Sequence, residues 1–188
     1  MTTHYVDITL LPDPEFSRAH LLGALYDRLH LALVSGQHKD IGISFPGYSW
    51  HPRTLGDVMR LHGGQERLAA FTQPDWLRGM RDHVRLGSVA SAPPDALHRT
   101  VRRRQFKTNV ERLRRRRMRR KGETWEEAAR AIPTTVAHHP QLPFAHLRSH
   151  STGQIYCVFI ELGDLQPNGQ YGLFSSHGLS DKATVPWF

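Results

Sequence analysis

The 188-residue chain is 39% hydrophobic, enough to bury the core of one domain or two small ones, and its single Cys157 excludes an internal disulfide and a cysteine-built zinc site. Its net charge is +8, yet the stretch from Arg102 to Lys121 alone holds twelve Arg or Lys and one Glu, so the remainder is mildly acidic and the basicity is local. The N-terminus has no basic segment leading into a long apolar core and no later stretch approaches about 18 apolar residues, which speaks against a signal peptide or membrane span and for a soluble cytoplasmic protein.

Val6 to Leu10 alternates apolar and polar residues, the period of a half-buried strand. Asp13-Pro14 then suits the start of a helix, with Phe16, Leu22, Leu25, Leu29 and Leu33 at helical spacing until Gly36 ends it. Strands are predicted at Ile41 to Phe45 and Val58 to His62, a helix over Gln65 to Phe71 and Pro74 to Met80 interrupted at Pro74, and a fourth strand over His83 to Val89. Strand, helix, strand, strand, helix, strand is the split βαβ order of a ferredoxin-like, RRM-like domain, assigned to residues 1–95. The Ser-Ala-Pro-Pro stretch at 91–94 leads into a smaller α/β domain, 96–188, so the fold class is α+β. That second part carries the basic segment, a short helix from Glu126 to Ile132, and strands at Phe144 to Arg148, Ile155 to Leu162 and Gly172 to Ser175.

The basic segment predicts a helix over about 109–121. Asn109 suits its N-cap, and Arg112, Arg115, Arg116 and Arg119 share a face with Arg120 at the edge. Beyond Val110 in the first turn only Leu113 and Met118 are apolar, and they point apart, so the helix has almost no core face. A run this cationic repels itself until a polyanion covers it, and nucleic-acid phosphate is the commonest such partner. The bland reading is a solvated basic helix. Arg103 and Gln105, just upstream, are types that read guanine and adenine edges, though both are also ordinary surface residues.

Thirteen histidines raise a metal site, but His138-His139 and the pair His146 and His150 match no zinc-ligand spacing. No metal or cofactor is expected. His30 falls at the rim of the stripe formed by Leu22, Leu29 and Leu33, where an imidazole is available for proton transfer, or is simply a boundary histidine. The hydroxyl-rich stretch from Ser149 to Gln154 suits a turn that holds ribose or phosphate, or a plain hairpin loop.

Taken in order, His4-Tyr5, Pro12-Asp13-Pro14-Glu15-Phe16, His30, Ile41-Gly42-Ile43-Ser44-Phe45-Pro46, the helix from Asn109 to Arg120, Leu142-Pro143-Phe144, Leu147-Arg148-Ser149, Ser151-Thr152-Gly153-Gln154, Gly178-Leu179-Ser180 and Val185-Pro186-Trp187-Phe188 resemble the CRISPR repeat-processing endoribonucleases of type I-F systems. The resemblance implies a metal-independent RNase that binds the repeat stem-loop and cuts at the 3′ base of the stem by 2′-OH attack, leaving a 2′,3′-cyclic phosphate. It also implies that the enzyme stays on its product, beside a backbone subunit of the crRNA surveillance complex. Residue by residue, His30 matches the histidine that takes the 2′-OH proton, Ser149 the serine that holds the ribose, and Ser151 a supporting hydroxyl. Arg103 and Gln105 match the base-reading pair, and Arg115, Arg116, Arg119 and Arg120 the groove-binding arginines, with Arg112 beside them. Lys121 stands at a phosphate-contacting position and Tyr156 where an aromatic ring stacks on the terminal base pair, a contact worth about 1–3 kcal/mol. One position departs: the family tyrosine before Gly-Leu-Ser is His177 here, which either orients His30 or titrates as a second acid or base. Two other readings stand beside the enzyme: a non-catalytic hairpin-binding subunit, and a basic-helix DNA-binding protein, for which no heptad or helix-turn-helix pattern is present.

Overall fold

The computed structural model describes residues 2–73, 75–106, 110–134 and 140–188; Pro74, the Asn109 cap and the His138-His139 pair lie outside them. The chain forms two compact units, 1–104 with 142–188, and 105–141.

In the larger unit, β1 (His4–Leu10) places Val6, Ile8 and Leu10 in the core by simple alternation. Helix α1 (Arg18–Ser35) follows, then β2 (Gly42–Ser44), the two-stranded hairpin of β3 (Ser49–Trp50) and β4 (Arg53–Thr54), and β5 (Val58–Gly63). Helix α2 (Gln65–Thr72), β6 (Val84–Leu86) and β7 (Ala90–Ser91) complete this half. The sheet order β2-β5-β1-β6 is antiparallel throughout, with β7 also on β1, and matches the order of a ferredoxin-like sheet. A second antiparallel sheet, β11-β8-β10-β9, is built from β8 (Leu97–Arg104), β9 (Phe144–Arg148), β10 (Ile155–Leu162) and β11 (Thr184–Trp187). Val101, Ala145, Leu147, Val158, Ile160 and Val185 of this sheet join the same apolar cluster as Ile8, Leu25 and Ile43. The contacts therefore divide the chain at 104/105 and 141/142 rather than at the expected 95/96, since both sheets share one core. Among the described residues, no helix is long and apolar enough to cross a membrane.

Local chemistry explains where the elements differ from expectation. Asp13 does not open α1. Its carboxylate accepts the amides of Glu15 and Phe16 and faces His83 Nδ1 at 2.8 Å, which makes a turn, and Ser17 caps the helix instead by accepting from His20. Phe16 is consequently exposed rather than core. Past α2 only single 3₁₀ turns form, at 75–77 and 81–83, where a continued helix was expected, and the fourth strand shortens to three residues. Gly172 to Ser175 is no strand, for Ser175 folds into a turn with Leu179; the last strand is β11, whose Pro186 is tolerated because β11 lies at the sheet edge.

The smaller unit is α3 (Val110–Lys121) and α4 (Trp125–Ala131). Gly122, at φ 68°, turns the chain between them, and a capping box joins Thr124 to Glu127. Contrary to the expectation of a helix without a core face, α3 packs on α4. Arg114 donates to the Ile132 carbonyl at 2.9 Å and lies over Trp125, while Arg117 grips both Glu123 oxygens at 2.5 and 3.0 Å.

Candidate ribonuclease site

Helix α1 supplies the centre of the site because its apolar stripe is buried and its rim is not: Leu25 and Leu29 are fully buried, and His30 is half-buried. His30 Nδ1 lies 2.7 Å from the Ser176 carbonyl oxygen. A carbonyl only accepts, so Nδ1 carries the hydrogen, and in the neutral ring the Nε2 lone pair is left to act as a base.

The turn bearing that carbonyl is held from several directions. Ser175 Oγ accepts the amides of His177 and Leu179, and the Gly178 carbonyl accepts Ile43 N–H at 2.9 Å. Gly178 has φ 69° and packs so tightly on Ile43 that a Cβ would approach Cγ2 at 2.7 Å, so only glycine fits. The buried Tyr26 hydroxyl donates to the His177 carbonyl at 2.9 Å. Burial first of all keeps this phenol protonated, raising its pKa well above the ordinary value.

His177 stacks on His30, with ring centroids 4.1 Å apart and planes inclined by 20°. Its Nε2 meets the Tyr156 hydroxyl at 3.3 Å. Burial, then the charge of His30, then that of Arg103 lower its pKa to about 3, so the ring is neutral near pH 7. Arg103 lies over the Tyr156 ring at 5.5 Å, and its buried Nε has no hydrogen-bond partner among the described residues. An unpaired buried donor of this kind calls for an acceptor.

The hydroxyl-rich stretch is indeed a turn between β9 and β10. Ser149 N–H donates to Gln154 O and its carbonyl accepts from Gly153 N, while Ser149 Oγ accepts from Thr152 N and lies 3.2 Å from Ser151 Oγ. Asp27, one turn before His30 on α1, accepts the Arg148 amide with both carboxylate oxygens.

Within the smaller unit, Arg112, Arg115, Arg116, Arg119, Arg120 and Lys121 are exposed, as is Gln105. A hollow of about 290 Å³ there is lined by Leu113, Arg116, Arg117, Arg120, Lys121 and Ile132. The larger unit thus brings together His30, His177, Tyr156 and Arg103, and links the Ser149 turn to α1. Tyr26, Asp27 and the Ser176 carbonyl were not foreseen; of these only Asp27 had a sequence signal, the i, i+3 spacing to His30.

The larger unit thus holds a histidine of fixed tautomer and a hydroxyl-rich turn, and the smaller unit an arginine-rich helix. The model of the family described as CRISPR-associated protein (Cas_Csy4) matches residues 5–188. A CRISPR-associated endonuclease Cas6/Csy4 of Pseudomonas aeruginosa (strain UCBPP-PA14) is 46% identical over 185 residues, covering 98% of this chain and 99% of the relative. One of Escherichia coli (strain UTI89 / UPEC) is 39% identical over the same coverage. The chain belongs to the Cas_Csy4 family and is an endoribonuclease of CRISPR RNA maturation.

Proposed function

We propose that this endoribonuclease binds the stem-loop of its CRISPR repeat and cuts at the 3′ base of the stem without a metal ion. His30 Nε2 takes the 2′-OH proton, O2′ attacks the adjacent phosphorus, and the P–O5′ bond breaks, O5′ taking a proton from solvent water to leave a 2′,3′-cyclic phosphate and a 5′-OH, while the His30 imidazolium returns its proton to solvent. The bond from His30 Nδ1 to Ser176 O carries this reading, because it presets the tautomer that a general base requires. Ser149 holds the attacking ribose with Ser151 in support, and His177 orients His30 by stacking rather than by donating a proton. Arg103 and Gln105 read base edges, and Tyr156 stacks on the terminal pair. Arg112, Arg115, Arg116, Arg119, Arg120 and Lys121 hold the stem's phosphates, which keeps the product bound and makes the protein a subunit of the surveillance complex.

The test is cleavage in EDTA of the repeat RNA and of the same RNA with a 2′-deoxy nucleotide at the cut site. Cutting of the all-ribose RNA alone, with a cyclic phosphate end, is expected. His30→Ala slows that cutting by about 10²–10⁴-fold with hairpin affinity retained; tight binding without any cutting by the unaltered protein means a hairpin-holding subunit instead.

A further inference from the structure

Helix α1 and strand β9 run side by side in matched steps. Gly23 rests on the His146 carbonyl, where any side chain would collide with it, and four residues on Asp27 meets the amide of Arg148, two residues on from His146. Four residues of helix and two of strand each advance about 6 Å. The next turn of α1, carrying His30, therefore comes level with Ser149 and His150. Aspartate is a poor helix former in mid-helix, and Asp27 sits in the interior of α1, half-buried. Its two oxygens take one N–H, at 3.0 and 2.8 Å. The titratable and charged groups around it come from three elements: His30 on its own helix, Arg148 on β9 with His150 in the following turn, and Tyr156 on β10. His30 is itself stacked on His177, which feels Arg103 from β8. Burial raises the Asp27 carboxyl, and the Arg148 amide, His30, His150 and the Arg148 side chain act in that order against it.

We propose that Asp27 is a positioning residue: its carboxylate clamps the end of β9 to α1, holding the His30 ring and the Ser149 hydroxyl at one spacing, and its charge stabilises the imidazolium formed when His30 takes the 2′-OH proton. The assignment rests on the 2′-OH transesterification reading above.

The experiment compares Asp27→Asn and Asp27→Ala in the full chain, by single-turnover cleavage of the repeat hairpin against pH and by hairpin affinity. Asn keeps an acceptor and drops the charge. In Asp27→Asn the acid limb of the rate profile moves to lower pH by roughly half a unit, the scale of two charges a helical turn apart at a half-exposed site. Asp27→Ala shows the same shift plus a fall of roughly tenfold in the limiting rate, from lost positioning, with affinity held. An acid limb unmoved in Asp27→Asn overturns the assignment even when cleavage by the unaltered protein is normal, and so does a rate loss that only follows the fraction unfolded. If the unaltered protein cuts the 2′-deoxy hairpin, the transesterification reading fails first and the clamp falls with it.

Discussion

Replacing His177 by Phe separates an orienting ring from a proton donor. Phenylalanine preserves a flat ring against His30, where the centroids are now 4.1 Å apart, and leaves the Ser176 carbonyl free to accept from His30 Nδ1. What is removed is the long contact to the Tyr156 hydroxyl, 3.3 Å from His177 Nε2, and a longer one to the Ser176 hydroxyl, 3.5 Å from Nδ1. A neutral hydrogen bond contributes about 0.5–1.5 kcal/mol, which converts to a rate loss of roughly 2- to 13-fold if all of it is felt at the transition state. A donor role predicts something different. With a pKa of about 3, about one molecule in 10⁴ carries the proton at pH 7, which cancels the roughly 10²–10⁴-fold that acid catalysis supplies. Single-turnover cleavage of the repeat hairpin under excess enzyme, from acid to alkaline pH, gives the answer. A loss beyond about 10³-fold at unchanged affinity, with the alkaline limb of a bell-shaped profile gone, would refute the orienting role and make His177 the acid; an undiminished rate would remove the proton-donor role and leave the stacked ring as all that His177 supplies.

Arg115 and Arg117 are two positions apart and do different work. Arg115→Ala reduces the slope of log affinity against log salt by about one unit, whereas Arg117→Ala, which breaks the two bonds to Glu123, leaves that slope alone and lowers the temperature at which helicity of the smaller unit melts. Equal salt slopes in both variants would contradict this division. His62 is fully buried, with Nε2 2.7 Å from Ser44 Oγ and Nδ1 without a hydrogen-bond partner among the described residues, and burial, followed by Arg60 and His98, lowers its pKa to about 3. The unfolded chain binds a proton near pH 6.5 that the folded chain refuses, so this contribution is complete above pH 6.5 and is lost as pH falls toward 3, by ~1.4 kcal/mol per unit. Denaturant unfolding at pH 7 and roughly pH 5 measures it, and an unchanged pH slope in His62→Gln would show that another group is responsible.

Elements whose chemistry agreed at every level were legible. Strand β1 alternates strictly and pairs with β5, and α1 has a wide apolar stripe and a glycine stop. Strand β8 was hidden because the charge run overlaps it: from Arg99 to Arg104 only Val101 is buried and apolar, so the period of two drowned in arginine. Strand β11 was hidden by Pro186, which a central strand would reject and an edge strand accepts. In the site, His30 stood out by its rim position and Ser149 by its hydroxyl-rich turn. The groups that tune them did not, since Ser176 and the His177 carbonyl reach α1 across 146 and 151 residues of sequence, and a backbone carbonyl has no residue type to betray it.

A charge run read from sequence alone suggests a helix that waits for its ligand, and the smaller unit corrects that physically. Arg114 and Arg117 are consumed internally, against the Ile132 carbonyl and Glu123, while α4 covers the side of α3 that would otherwise fray. The remaining exposed cations are therefore displayed on a helix that is already formed, and binding need not supply the ordering free energy that a coiled basic tail would demand. The same logic holds at His30, whose tautomer is set before any RNA arrives. Both features are preorganised, so binding has less of the protein to order than a coiled basic tail and a freely turning imidazole would require.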